Sequence, residues 1–434
     1  MKNNFIKSLL ITFIALINSL TASPDINHPL AIAELIDIAL ENNPLTQQSW
    51  WTANRAASEL GRAESAYYPK VELNANARNG KDFKFINGPN TEYTIVGADL
   101  ILSMMLYDFG ERNANANAAK MALTAANWQA NFNIQKVISK VLEGAYSTLH
   151  AQEALEATQS SLEDAEKILY SAKELNRVGL TPISDVYTSQ ATWSQTHIDL
   201  CERKAQLDIE KGKLAASLGL SATASLQLAS LCNVEAPQCQ QINELIDLAL
   251  TRRGDLAAKQ ARLQEAVFNQ NKTRASCAPK LSLAGRVGAN HALHDKTNGG
   301  QYEIGLNLNI PIFNGFDTIY QNRVAYANTK LAAADLAQLQ LDIVLEVQKY
   351  SRTLEAMQEI LPYSDENLKN AIQAYESVLD RYKAGKERIA EVSNAQQQLA
   401  AARIRHSDIK MRWLMAVANL AYATGTLPLS MKTS

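Results

Sequence analysis

The sequence predicts a mainly α-helical chain with a smaller β-strand part, and three observations lead to this fold class. A large part of the chain is repeated in tandem. Two stretches of about 60 residues keep a seven-residue apolar step, which is typical of long helices packed as a coiled coil. Before each of these stretches, apolar and polar residues alternate over about ten residues, which is typical of strands with one apolar and one polar face.

The composition narrows the functional class. The 434 residues carry a net charge of -2 and only 7% aromatic residues, so nothing indicates a nucleic-acid partner. No Walker, dinucleotide-binding, HExxH or GxSxG motif occurs, so we expect neither an enzyme nor a cofactor. His291, His294 and Asp295 lie in a predicted loop without an evident third histidine, and we expect no metal site there.

The N-terminus reads as a secretory signal at residues 1–23. Lys2 and Lys7 precede an apolar stretch at residues 9–17, and small residues at 21–23 offer a cleavage site. The sequence therefore predicts export.

The duplication defines the predicted organisation. Residues 34–40 return as residues 244–250 at an offset of 210, whereas Gly179 matches Gly385 at an offset of 206. The predicted segments are a first repeat at 24–220, a linker at 221–240, a second repeat at 241–426 and a tail at 427–434. In an oxidising compartment, Cys232 and Cys239 of the linker could form a disulfide, but two unpaired thiols are equally compatible with the sequence.

Each repeat contains two predicted strands, at about 70–78 and 93–107 and at about 280–289 and 302–313. The alternation fits a membrane β-barrel as well as a half-buried hairpin of a soluble protein. Because the smallest membrane barrels use about eight strands, four strands in a bilayer would require several chains to share one barrel.

Long helices are predicted after each strand pair. Asp108 and Glu111 suggest a capping box, and the helix that follows runs to Gly179. At 1.5 Å per residue it would be on the order of 90 Å long. Thr181 and Pro182 suit the start of a return helix. Pro362 should kink or break the second long helix. The seven-residue step in that helix comprises Val347, Leu354, Leu361, Leu368, Tyr375 and Tyr382.

Several local motifs resemble the TolC family of outer-membrane efflux proteins. Leu106–Arg112 and Ile310–Gly315 resemble its repeated strand-to-helix signature, and Val178–Val186 resembles its first helical turn. Tyr382–Gly385, followed by Ile389–Val392, resembles the second turn. The resemblance covers nearly the whole mature chain and rests on the order and duplication of these motifs.

The resemblance implies a homotrimer that shares a twelve-stranded barrel in the outer-membrane lipid and continues as a helical barrel through the periplasm of a Gram-negative-type bacterium. It also implies a passive exit duct for efflux or type I secretion, opened by an inner-membrane transporter and a periplasmic adaptor. The cargo stays open between drugs, metals and proteins.

In the family, acidic residues after the turns line the periplasmic gate. By resemblance, Asp185 and Glu391 occupy two of these positions, and Tyr382 matches a tyrosine that holds the closed state. Asn394 stands where the family usually has a further acid. An alternative for Asp185 and Glu391 is that they are solvated first-turn residues favoured by the helix dipole.

The turns themselves would be the tip on which partners dock. The basic residue that the family has near Glu387 could be supplied here by Lys386 or Arg388. The implied docking residues are Gly179, Leu180, Thr181, Gly385 and Lys386.

Two other functional classes compete with the duct. A soluble periplasmic coiled-coil adaptor or structural rod explains the heptads and the export signal, but not the duplicated alternating strands. An exported helical enzyme would need a convergent polar pocket, which the sequence does not indicate.

Overall fold

The computed structural model describes residues 29–82, 91–224, 226–229, 241–293 and 297–427. The predicted signal, both linker cysteines, His294 and Asp295 lie outside the described residues. The internal contacts divide the chain into two compact units. Gln48–Phe132 and Arg253–Val344 form the strand unit, and the remaining described residues form the turn unit.

The described elements repeat in one order, which confirms the predicted duplication. The two long helices have 67 residues each, and the two return helices that follow them have 35 residues each. The first repeat comprises α1 (Ile32–Asn42), α2 (Pro44–Glu64), β1 (Lys70–Asp82), β2 (Thr91–Tyr107), α3 (Glu111–Arg177) and α4 (Ile183–Ser217). The second comprises α5 (Ile242–Arg252), α6 (Gly254–Ala275), β3 (Lys280–Ala292), β4 (Thr297–Asn309), α7 (Asp317–Lys383) and α8 (Ile389–Ala423).

Three of the four strands are longer than the alternation predicted, and β4 lies further toward the N-terminus than predicted. The predicted strand at about 302–313 begins at Thr297 and ends at Asn309. It ends early because Pro311 has no N–H to donate to a neighbouring strand. It begins early because Thr297 pairs with Ala292 across a short connection, so the hairpin extends beyond the alternating residues.

The four strands form one antiparallel sheet in the order β1-β2-β3-β4. Its register places Leu73 opposite Leu100, Leu100 opposite Val287 and Val287 opposite Tyr302. All four side chains are exposed. This row of one sheet face is therefore apolar across all four strands, and we call that face the apolar face.

The opposite face, the polar face, carries Asn74, Asp99, Gly288 and Gln301 side by side in the same register. Gln301 donates a hydrogen bond to the Asp99 carboxylate at 3.0 Å. Gln301 and Asp99 lie on strands that are not neighbours, so the bond crosses Gly288. The missing side chain at Gly288 makes that span possible, because a Cβ there would lie 2.0 Å from the Asp99 oxygen.

Asp108 caps α3, but the predicted capping box is wrong in its second half. The Asp108 carboxylate accepts the Arg112 backbone N–H at 2.8 Å. Glu111 does not return to the Asp108 backbone; its carboxylate pairs with Lys280 at 2.5 Å. A charge-assisted contact to a neighbouring strand therefore replaces a local one.

The predicted seven-residue row is the buried side of α7 in the turn unit. Val347, Leu354, Tyr375 and Tyr382 are buried. The matching row of α3 includes Thr148, which is fully buried and donates its hydroxyl hydrogen to the Gly144 carbonyl oxygen at 2.8 Å. α7 continues through Pro362, so of the two predicted effects the break does not occur. The kink stays a prediction.

None of the helices in the described ranges is both long and apolar enough to cross a membrane.

Candidate functional site at the two helical turns

The two turns have the same backbone geometry. Gly179 and Gly385 have φ values of 77° and 72°, so both glycines end their long helices in the left-handed conformation. Leu180 N–H donates to the Leu175 carbonyl at 2.9 Å, and Lys386 N–H donates to Arg381 in the same way at 2.9 Å. This is the 6→1 bond of a Schellman motif, which closes the last turn of each long helix.

The first return helix, α4, begins one residue later than predicted. Pro182 has a ψ of 158° and is the N-cap, so the first helical residue is Ile183. Thr181 therefore lies before the cap. Its carbonyl accepts a hydrogen bond from the Asn176 side chain at 2.8 Å, which fastens the turn to the end of α3.

The turn residues implied as docking positions are mostly accessible. Gly179, Leu180, Gly385 and Lys386 are exposed, whereas Thr181 is half-buried. Apart from each glycine and its neighbours along the chain, no atom of the described residues lies within 4 Å of where a Cβ would stand at Gly179 or Gly385.

The acids implied for the gate occupy matched positions. Asp185 and Glu391 are each the third residue of a return helix, in its first turn. Asp185 is half-buried, and burial raises the pKa of its carboxyl. Glu391 and Asn394 are both exposed.

The structure brings Asp185 and Tyr382 together. Tyr382 is fully buried, and burial followed by the negative charge of Asp185 raises its pKa to about 12. The Thr181 hydroxyl faces the same phenol and lowers its pKa, although neither hydroxyl has a partner at regular hydrogen-bond geometry among the described residues. In the described part of the chain, no hydrogen bond or ion pair joins Glu391 or Asn394 to this pair.

The raised pKa predicts how stability depends on alkaline pH. Between the ordinary value of 10 and about 12, the folded chain keeps a proton on Tyr382 that the unfolded chain releases. The stabilisation is therefore complete below pH 10 and is lost as the pH rises through 12. We expect the melting temperature of wild type to fall more steeply than that of Tyr382→Phe over this range.

The control for this measurement is Tyr187→Phe, which removes an exposed phenol from α4. Its melting curve against pH should be parallel to that of wild type. Parallel curves for Tyr382→Phe as well would contradict the raised pKa.

Comparison with known proteins identifies the family. The model of the family described as outer membrane efflux protein matches residues 35–220 and 245–426, which is most of the chain. The chain belongs to this family. The resemblance to the TolC family is thereby confirmed.

Curated relatives of this efflux protein include proteins from different bacteria. Protein CyaE of Bordetella pertussis is 28% identical over 383 residues, covering 87% of this chain and 80% of the relative. Outer membrane protein TolC of Escherichia coli is 24% identical over 407 residues, covering 89% and 80%. These relatives and the family place the efflux protein in the outer membrane as a channel for efflux or type I secretion.

Solved structures share the fold. The Campylobacter jejuni CmeC outer membrane channel superposes with a TM-score of 0.83 at 19% identity, covering 91% of this chain and 85% of that chain. VceC of Vibrio cholerae gives 0.81 at 18% identity, covering 91% and 96%. The competing interpretations as a soluble rod or an exported enzyme are not supported by this family.

The basic partner of Glu387 near the second turn is not one of the two expected residues. Neither Lys386 nor Arg388 pairs with Glu387 in the described structure. The Glu387 carboxylate instead binds Arg381 at 2.9 Å. Arg381 lies six residues earlier, on the other side of the glycine turn, where a search for neighbouring basic residues does not find it.

A second polar cluster of the turn unit was missed from the sequence. Asp164 of α3 binds Arg403 of α8 at 3.1 Å. Tyr375 is buried near this pair. Burial, and then the negative charge of Asp164, raise the pKa of its phenol, whereas the positive charge of Arg403 lowers it. One feature of the sequence could have pointed to this cluster: Tyr375 precedes Tyr382 by one heptad in the predicted seven-residue row.

The remaining predicted sites are only partly described. Cys232 and Cys239 lie outside the described residues, whereas Cys201 and Cys277 are free thiols. His291 Nδ1 contacts the Asn298 side-chain oxygen at 2.6 Å. Among the residues that the structure describes, no three His, Cys, Asp or Glu side chains are grouped to hold a metal ion.

Proposed function

We propose that this efflux protein is one of three identical subunits of a passive exit duct. The observation that carries the proposal is the sheet. Its apolar face is exposed over all four strands, and its opposite face is polar. An apolar surface of this kind in contact with water would favour association, whereas lipid accommodates it.

The edges of the sheet require further copies of the chain. β1 and β4 are the outer strands, so each has one unpaired side. Open edges are not tolerated in lipid, and four strands are too few for a closed barrel. Pairing β4 of one copy with β1 of the next in three copies would give twelve strands and remove every edge. Detergent-extracted protein should therefore be trimeric by mass measurement.

The two turns are the proposed tip, at which a periplasmic adaptor and an inner-membrane transporter dock. Leu180 and Lys386 occupy matched positions on exposed turns that the Schellman bonds hold in shape. The duct then needs no energy source of its own, since the transporter would supply it. Each repeat would offer one docking turn.

Asp185 and Glu391 form the proposed gate. Three copies of each would make a negative ring that favours cations in a narrow aqueous mouth. Tyr382 would support the closed position of Asp185, since their side chains lie together behind the first turn. Asn394 lowers the charge of the ring compared with the family pattern.

Single-channel current in planar bilayers tests the duct and the gate together. We expect small, cation-selective openings from wild type. Asp185→Asn with Glu391→Gln should lose the cation preference, because six carboxylates per trimer are neutralised. Glu376→Gln, at an exposed acid on α7, should keep it.

Unchanged selectivity in the double variant would rule out the gate. No current from correctly trimeric wild type under any applied voltage would argue against the duct.

A further inference from the structure

An open cavity of about 400 Å³ lies in the strand unit, where the sheet meets the helices. It opens on the polar face, because Lys70 lies opposite Ser103 and Ser282 lies opposite Met105 in the register of that face. Its volume is within the range of small-molecule sites. All of its lining residues belong to the strand unit.

The charged groups of the cavity are mostly cationic. Four of its lining residues are basic and two are acidic. The basic residues are Lys70, Arg112, Lys272 and Lys280, and the acidic residues are Asp108 and Glu111.

Both carboxylates are already engaged. Asp108 accepts from the backbone N–H and the Nε of Arg112, at 2.8 and 2.9 Å. The remaining Arg112 donors bind main-chain carbonyls, including that of Met105 at 2.7 Å. Glu111 pairs with Lys280 at 2.5 Å. These contacts fix two of the cations and leave no free acid to neutralise the other two.

Lys70 and Lys272 are those other two. Within the described ranges, neither ammonium group makes an ion pair or a hydrogen bond. Ser103, Ser282 and Asn115 line the same cavity and add neutral donors. Two unpaired ammonium groups beside hydroxyl and amide donors are the chemistry that binds oxygen-rich anions.

We propose that this cavity binds the carboxylate or phosphate group of a small organic anion. The proposal rests on the proposed function, because the polar face lines the lumen only if the apolar face contacts lipid. The site would then hold anionic groups of cargo within the duct. Met105 and Tyr68 also line the cavity and would contact the apolar part of such a molecule.

Binding to the detergent-purified full chain tests the site without any need for conductance. Titration calorimetry with citrate and, separately, with inorganic phosphate would measure saturable binding. Lys70→Gln with Lys272→Gln should weaken it by about 10-fold or more, since two charge-assisted bonds are lost. Lys70→Arg with Lys272→Arg should retain most of it, because the charge is preserved.

The matched control is Lys120→Gln with Lys330→Gln, which removes the same charge from exposed positions outside the cavity. This variant should bind as wild type does. Binding of citrate alone would assign the site to carboxylates, and binding of phosphate alone would assign it to phosphates. Absence of saturable binding to wild type, or equal weakening in both glutamine variants, would overturn the proposal.

The two proposals fail separately. A trimer that conducts but binds neither anion would retain the duct and lose the site. A chain that binds citrate through Lys70 and Lys272 but never conducts would retain the binding chemistry and lose the duct.

Discussion

Gly219→Ala should destabilise the turn unit by about 3 kcal/mol, which is among the larger effects of single substitutions. Gly219 ends α4 with a φ of 77°, a conformation that costs an alanine about 1 kcal/mol. A Cβ at this position would also lie 2.5 Å from the Asn42 carbonyl oxygen and 3.0 Å from the Asn43 Cα. These are backbone atoms and cannot rotate away.

The corner between α1 and α2 would therefore have to move. Asn43 holds this corner to the end of α4 by donating from its side chain to the Ser217 carbonyl at 2.8 Å. A shift large enough to admit the methyl group would strain or break that bond, so the steric and hydrogen-bond losses add to the backbone cost.

Gly179→Ala is the matched control. Gly179 has the same φ of 77°, but nothing lies within 4 Å of its Cβ position. Its substitution should cost only the backbone term, about 1 kcal/mol. Thermal and denaturant unfolding of the two variants in detergent would measure the difference. Equal destabilisation would show that the close approach at Gly219 is relieved without cost.

Asp255→Ala should destabilise the strand unit by about 3–5 kcal/mol, because it removes one partner of a buried ion pair. Arg253 and Asp255 are both buried at the start of α6. The guanidinium donates to the two carboxylate oxygens at 3.0 and 2.7 Å. Its carbon also lies 5.8 Å from the centre of the Phe132 ring.

Asp335→Ala provides the comparison at the surface. Asp335 pairs with Lys259 at 3.0 Å, but both side chains are exposed, so the loss should be at most about 1 kcal/mol. Unfolding in denaturant would compare the two alanine variants with wild type. A loss at Asp255 as small as that at Asp335 would show that the remaining contacts of Arg253 stabilise its charge without this carboxylate.

The local periodicities were readable from the sequence because each depends on residues close together in the chain. The seven-residue step of α7 and the alternation in β4 follow from the repeat of each backbone, and both are present in the structure. The duplication was readable because matched residues keep nearly constant offsets. The glycine turns were also readable, since Gly179 and Gly385 need a conformation that other residues avoid.

Only part of the candidate site could be predicted from the sequence. Asp185 and Tyr382 came from the family resemblance, and the structure adds that they lie together. Arg381 with Glu387 could not be found, because their pairing depends on how a turn folds back. Asp164 with Arg403 joins residues 239 positions apart.

The ends of the strands and the partners of charged side chains likewise depended on the tertiary structure. Alternation predicted that β4 exists, but its limits depend on where β3 can pair with it. The sequence placed Glu111 in a capping box, and the approach of β3 gave its carboxylate a stronger partner in Lys280. The periodicity of apolar residues follows from the backbone geometry of a helix or strand, so it can be recognised from residues that are close together in the sequence. Side-chain pairing depends on distances that arise only when remote segments pack together.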